Sequence, residues 1–336
     1  MLVPAYKVLI MILDITRHKF YEGLITLFVM TLVLIALLVV NVGDSGVAAA
    51  PDSPLMSLLA SAMCGVGFLE GVAVVFMYVV SAFVLTRSAL RAHIYPQDTM
   101  APMSLCAVMT LPMILSGDAL HQAVVVVLMA YGLGNMFFGF APRKCMSRLF
   151  VAMLSSGTLA VIEPSLVVVP IVLALSLIAA RKRFRESVVV VVGMLLPMFA
   201  YCYVSWLCGG SFAGSATEWW RGLVANLSLN ILDNISVTRL VYIAFVIFMQ
   251  AVSSVFYFAQ RDINAVVVRG VWRTLQMLFV VALLSALMMP SASDSMLTVL
   301  VMTSAASLAM FFIRSGAIIA VVTYVAIVAL AFAALF

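Results

Sequence analysis

Long apolar runs follow one another along this chain, and polar residues gather in short clusters between them. The run from Leu24 to Val42 contains no charged residue at all. Eleven runs can be drawn: 24–42, 55–85, 101–116, 121–141, 147–161, 165–180, 187–207, 237–257, 268–289, 295–313 and 316–335. Strands of a membrane barrel alternate apolar and polar positions over about ten residues, and these runs do not alternate. Within lipid the backbone must satisfy itself, which leaves helices. The pattern predicts an all-α, polytopic transmembrane helix bundle with about eleven spans.

A crossing takes about 20 apolar residues. Segments 101–116, 147–161 and 165–180 fall short, so each is expected to be tilted, broken or re-entrant. Segment 55–85 is too long for an upright span and holds Gly65, Gly67, Glu70 and Gly71 near its middle, where a kink is expected. Pro112, Pro170 and Pro197 mark further kinks. No long polar linker divides the chain, so residues 1–336 read as one transmembrane domain. Residues 1–20 carry Lys7 and Asp14 and end on Arg17-His18-Lys19. The charge follows the apolar stretch instead of preceding it, unlike a cleaved signal, so this stretch reads as an interfacial lead-in helix.

Composition agrees with the pattern. Of the 336 residues, 66% are hydrophobic and only 9% charged. A water-soluble fold would have to expose much of that apolar surface. The net charge of +5 does not point to nucleic acid, because it follows membrane topology. Sixteen of the eighteen Lys and Arg fall on alternate loops, around Lys7, Arg87, Arg143, Arg181, Arg261 and Arg314, and only Arg221 and Arg239 fall on the others. By the positive-inside rule the N-terminus is in and the C-terminus out. The opposite loops hold Asp44, Asp52, Asp118, Glu163, Glu218, Asp233 and Asp294. The five cysteines lack CxxC spacing, the histidines are scattered, and no metal or cofactor is expected. P-loop, HExxH, GxSxG and dinucleotide signatures are absent from the sequence.

Residues 208–236 form the longest stretch between runs. After Cys208-Gly209-Gly210-Ser211, apolar residues recur at helical spacing from Trp219 and Trp220 to Ile235. This predicts an amphipathic helix on the outer surface, either a lid over an outward site or a packing cap. Asn226-Leu227-Ser228 and Asn234-Ile235-Ser236 match the glycosylation pattern; such short matches arise by chance, and a bacterial origin would make them irrelevant.

Few polar residues remain as candidates for a site. Glu70 lies within a predicted span, where an ionisable group costs about 2.5–3.5 kcal/mol and is a functional candidate by default. Asp118 and His121 stand one helical turn apart, as a proton relay or a loop pair. Glu163-Pro164 separates two short runs, as a re-entrant hairpin or a tight turn in which proline starts the next helix. Arg221 offers a forked donor set for phosphate or carboxylate. Asp44 occupies the first outside loop.

From the centre onward the chain resembles an uncharacterised family of polytopic inner-membrane proteins from Bacteroidota. The residues that carry the resemblance are Ile162-Glu163-Pro164 and Arg185-Glu186-Ser187, the latter leading into a span with Gly193 and Pro197. The stretch from Arg91 to Pro96 and the last two runs around Arg314 belong to it as well. It implies a multi-pass protein of the bacterial inner membrane and no reaction.

Three functions follow as expectations. One is an enzyme of the cell envelope, glycosyltransferase- or polymerase-like, acting on a polyprenyl-phosphate-linked glycan. Another is a proton-coupled transporter or flippase with Glu70 in its pathway. The third is a non-catalytic scaffold of an envelope complex. The expected partners are membrane lipids and an amphipathic substrate.

Overall fold

The computed structural model describes residues 20–41, 67–95, 99–115, 118–140, 146–180, 184–225, 236–259, 266–288 and 293–335. Asp44 and Asp52, most of the lead-in stretch, the first part of run 55–85, and residues 226–235 with Asp233 lie outside them. The described residues are all helical: α1 (Phe20–Asn41), α2 (Gly67–Arg91), α3 (Ala101–Ile114), α4 (Ala119–Gly139), α5 (Met146–Ile162), a 3-10 turn (Pro164–Val167), α6 (Val168–Ala180), α7 (Phe184–Leu207), α8 (Phe212–Ala225), α9 (Val237–Ala259), α10 (Val266–Met288), α11 (Ser293–Arg314) and α12 (Ala317–Ala333).

Each apolar run becomes a helix, and α8 is added between the runs. Six helices are long and apolar enough to cross a membrane: α2, α4, α7, α9, α10 and α11. The other five runs also give apolar helices, and four of them, α3, α5, α6 and α12, are shorter, at 13–17 residues. This is the build of a multi-pass membrane protein. Its outer face supports that statement directly. Along α7, Val188, Val191, Val192, Leu195, Leu196 and Phe199 are all exposed. A face of this extent is costly in water and costs nothing against lipid tails.

The core sits around α3 and α11. Every residue from Ala101 to Ile114 is buried, and so is nearly all of α11. Contacts fix their relative direction. Tyr95 Oη donates to the Ala306 carbonyl at 2.7 Å, and Cys106 Sγ meets Met302 Sδ at 3.5 Å. The residue number rises on one side as it falls on the other, so α3 and α11 are antiparallel. Ser295 and Thr298 of α11 bond Gln122 near the start of α4, and Ser307 of α11 bonds Gln250 of α9. Arg239 lies at the start of α9, as Asp294 does on α11, and the two form an ion pair. Helices α9 and α11 therefore run the same way.

Two helix ends close in the same manner. At the end of α2, the N–H of His93 bonds the Leu90 carbonyl and that of Ile94 bonds the Ala89 carbonyl, with His93 at φ 49°. At the end of α7, Gly209 and Gly210 bond Trp206 and Ser205 likewise, with Gly209 at φ 90°. Both are Schellman closures, in which one left-handed residue satisfies carbonyls the helix leaves over. Pro112 and Pro197 stand inside α3 and α7. Helix α2 is continuous from Gly67 to Arg91, and Gly65, the first of the residues where a kink is expected, lies outside the described residues.

Candidate functional site

Polar side chains meet at one end of the bundle, where α4, α9 and α11 all begin and α5 ends. Asp118 is the N-cap of α4, and its Oδ1 accepts the backbone N–H groups of Leu120 at 3.1 Å and His121 at 3.4 Å. That is the ordinary work of an aspartate at this position. It leaves the imidazole of His121 to find another partner. Nε2 of His121 lies 2.9 Å from Glu163 Oε2, with both side chains 16% exposed. The pairing predicted between Asp118 and His121 is thus one of backbone capping, while the imidazole reaches across to Glu163.

Glu163 is presented by the turn that joins α5 to α6. It takes an extended conformation, φ −136°, and Pro164 follows as the first residue of the 3-10 turn. A proline there loses nothing, because its missing N–H would have no helical partner. A tight turn joins the two helices here, with Pro164 as its first helical residue. Ser165 Oγ donates to Glu163 Oε1 at 2.8 Å and fixes the second oxygen.

The pair continues into α11. Ser295 Oγ lies 3.3 Å from His121 Nε2 and accepts from Gln122 Nε2 at 3.2 Å. Thr298 Oγ1 donates to Gln122 Oε1 at 2.7 Å. Beside them Asp294 lies 3.8 Å from Arg239 Nη1. Three helix N-termini therefore gather where Asp118, Glu163 and Asp294 stand. Helix dipoles favour negative charge at such ends, which accounts for acids collecting here.

The chemistry of the pair follows from its geometry. With Glu163 as carboxylate, the acceptor, Nε2 carries the imidazole proton and Nδ1 is left as the basic nitrogen. Both Glu163 and Ser295 approach the same ring nitrogen. A nucleophilic triad instead uses the two nitrogens on opposite sides, so Ser295 is not placed as a nucleophile. The contacts at Nε2 fix the orientation of the ring.

Helix α8 lies over the Glu163 turn. Trp219 Nε1 donates to the Ala160 carbonyl at 2.7 Å, in the last turn of α5. Gly222 packs against Pro164, and Ser215 Oγ lies 2.6 Å from Ser205 Oγ at the end of α7. The helix starts at Phe212, earlier than the tryptophan spacing indicates, and Trp219 points inward while Trp220 is exposed. Replacing Trp219 with phenylalanine removes one anchoring bond, worth about 1 kcal/mol. The α7–α8 connection should then be cut more readily in limited proteolysis, with no change in the thermal midpoint of the bundle.

The remaining candidates stand outside this network. Glu70 is in the first turn of α2, exposed, and forms no hydrogen bond or ion pair among the described residues. Residues 55–66, which precede it in the same apolar run, lie outside the described residues. Arg221 is exposed on α8, one residue before the Gly222 contact with Pro164. Sequence reasoning missed Gln122, Ser165, Ser295 and Thr298. The available signal was polar residues inside apolar runs, with Ser295 and Thr298 one helical turn apart.

No protein-family profile, curated protein or solved structure matches the chain. The reading of the site therefore rests on its own geometry. Among the described residues, no group of three or more His, Cys, Asp or Glu side chains is placed to hold a metal ion.

Proposed function

We propose that this chain is a multi-pass protein of the bacterial inner membrane that acts on a polyprenyl-phosphate-linked glycan at its outer surface, as a glycosyltransferase or polymerase does. It crosses eleven times, with the N-terminus in and the C-terminus out, and this reading rests on the alternation of Lys and Arg along the sequence. The resemblance to the Bacteroidota inner-membrane family is part of the same reading.

The observation that carries it is the His121–Glu163 pair, closed at 2.9 Å beneath the amphipathic helix α8. In the reaction, His121 Nδ1 takes the proton of an acceptor sugar hydroxyl as its oxygen bonds the anomeric carbon. The bond from that carbon to the polyprenyl phosphate breaks, and the phosphate leaves with the electron pair. Glu163 stabilises the imidazolium that forms. Arg239, 3.8 Å from Asp294, is the cation that the phosphate would meet beside the pair. Helix α8, with Trp220 exposed, holds the interface where a polyprenyl chain leaves the lipid.

A second reading has an observation of its own. The cluster is bonded largely to itself, from Asp118 through Gln122 to Thr298. Such a closed network also serves as a clasp between α4, α5 and α11, as a scaffold requires. Depletion of the protein in its native host separates the two. An enzyme of this class leaves its polyprenyl-linked donor unconsumed, so chromatography of the lipid extract should show that pool rising several-fold. An unchanged pool removes the glycan reading.

A further inference from the structure

A groove of about 250 Å³ lies between the end of α2 and the start of α3, at the opposite end of α2 from Glu70. Its walls are Phe83, Leu90, Met100 and Met103, with Arg87 and Arg91 on the rim. The two arginines are one helical turn apart and therefore share a face. Both are exposed, and neither forms an ion pair among the described residues. Arg87 sits over the Phe83 ring, 5.8 Å from its centre. Two like charges at this spacing repel each other, so the pair is poised for an anion from outside the chain.

The opposite wall has the same preference. Helix α3 begins here with Met100 at its N-cap, which gives no side-chain hydrogen bond, and Pro102 follows in the first turn. The positive end of that helix lies at the groove; Thr99 Oγ1 accepts the Ala101 N–H at 3.2 Å, and no carboxylate among the described residues caps it. Below the rim the surface is almost wholly apolar. A free inorganic anion would satisfy the guanidiniums and leave that surface unmatched. A phospholipid matches both parts, with its phosphate on the forked donors of Arg87 and Arg91 and its first acyl carbons on Phe83, Leu90 and Met103. The depth is right as well, since both arginines are in the last two turns of an apolar spanning helix. Basic pockets between spanning helices are where anionic headgroups settle.

We propose that this groove seats an anionic phospholipid of the leaflet that faces the arginine-bearing helix ends. It is separate from the His121 site and does not depend on what that site does.

The test uses the full chain in nanodiscs containing dioleoyl-phosphatidylglycerol and dioleoyl-phosphatidylcholine in equal amounts, followed by native mass spectrometry of the lipid retained on release. The wild type should keep phosphatidylglycerol in preference. At about fivefold for each arginine, the Arg87→Gln/Arg91→Gln variant should lose roughly 25-fold of that preference. Arg148→Gln, which removes a cation already bonded to Asn135, should keep it. Equal retention by the wild type and the double variant overturns the proposal. Should the double variant fail to fold, Leu90→Trp fills the groove and leaves both charges. Loss of the lipid then supports the site, and its retention overturns it. Excess inorganic phosphate distinguishes the sources of the anion. Failure to displace the lipid supports the headgroup site, and displacement shows a free-anion site instead.

Discussion

Replacing His121 with glutamine should abolish glycan transfer while leaving the bundle folded. Glutamine keeps a polar side chain of similar reach, so its amide can still donate to Glu163 and bond Ser295. It has no basic nitrogen to take a proton. General-base catalysis contributes typically 10²–10⁴-fold, and transfer from a polyprenyl-linked donor in membranes bearing the variant should fall by about that factor. Glu163→Gln is the companion. It retains the hydrogen bond as an acceptor through its amide oxygen but removes the charge that stabilises the imidazolium, so its loss should be of similar size. The two losses should not add, because both substitutions disable one device. The clasp reading gives another pattern. Neither substitution would then change transfer, and the polyprenyl-linked pool would stay as in the wild type. Loss of transfer at an unchanged midpoint is an outcome that only the catalytic reading gives.

The helices were legible in the sequence because the bilayer imposes one rule on every span. The run 237–257 becomes Val237–Ala259, and 101–116 becomes Ala101–Ile114. Hydropathy registers length and composition, and those suffice here. The site was legible only as a set of residues. Asp118, His121 and Glu163 stand out because polar groups are rare in this chain, yet their partnerships do not follow from spacing. His121 and Glu163 are 42 positions apart, and Ser295 lies 174 positions from His121. Proximity along the chain joins His121 to Asp118 instead. The reason that pairing fails is local. An N-cap carboxylate turns back onto the first N–H groups of its own helix, and a histidine three residues on points away from it. Arg239 offers a second case. It forms an ion pair with Asp294, far along the sequence, because α9 and α11 begin side by side. The start of α8 was misjudged since the tryptophan pair draws attention to residue 219. The Schellman closure at Gly209 allows a new helix to begin at once, at Phe212.

Gly157 carries the second large effect, and it concerns folding. A Cβ placed on Gly157 would lie 2.5 Å from the Met194 carbonyl oxygen, while one on Gly193 would meet Met153 Cβ at 3.0 Å and the Phe150 carbonyl at 3.1 Å. Helices α5 and α7 thus touch backbone to backbone at two facing glycines. Small residues permit such contact in lipid, where no hydrophobic drive holds helices together and packing has to do so. The obstacle to Gly157 substitution is a main-chain atom, so no rotamer change relieves it. Gly157→Ala should cost about 1–3 kcal/mol, as overpacking does, and lower the thermal midpoint. Gly157→Leu should leave no monodisperse protein after extraction. Gly71 is the control, since among the described residues nothing lies within 4 Å of its added Cβ. There alanine only restricts the unfolded chain and suits the helix better, so Gly71→Ala should stabilise by about 0.4–1 kcal/mol. If both alanine variants shifted the midpoint alike, the close approach of α5 and α7 would not be what holds them. The turn bearing Glu163 directly follows α5, so this contact also sets where Glu163 stands against His121. Gly157→Ala should therefore weaken transfer as well, by less than Glu163→Gln does.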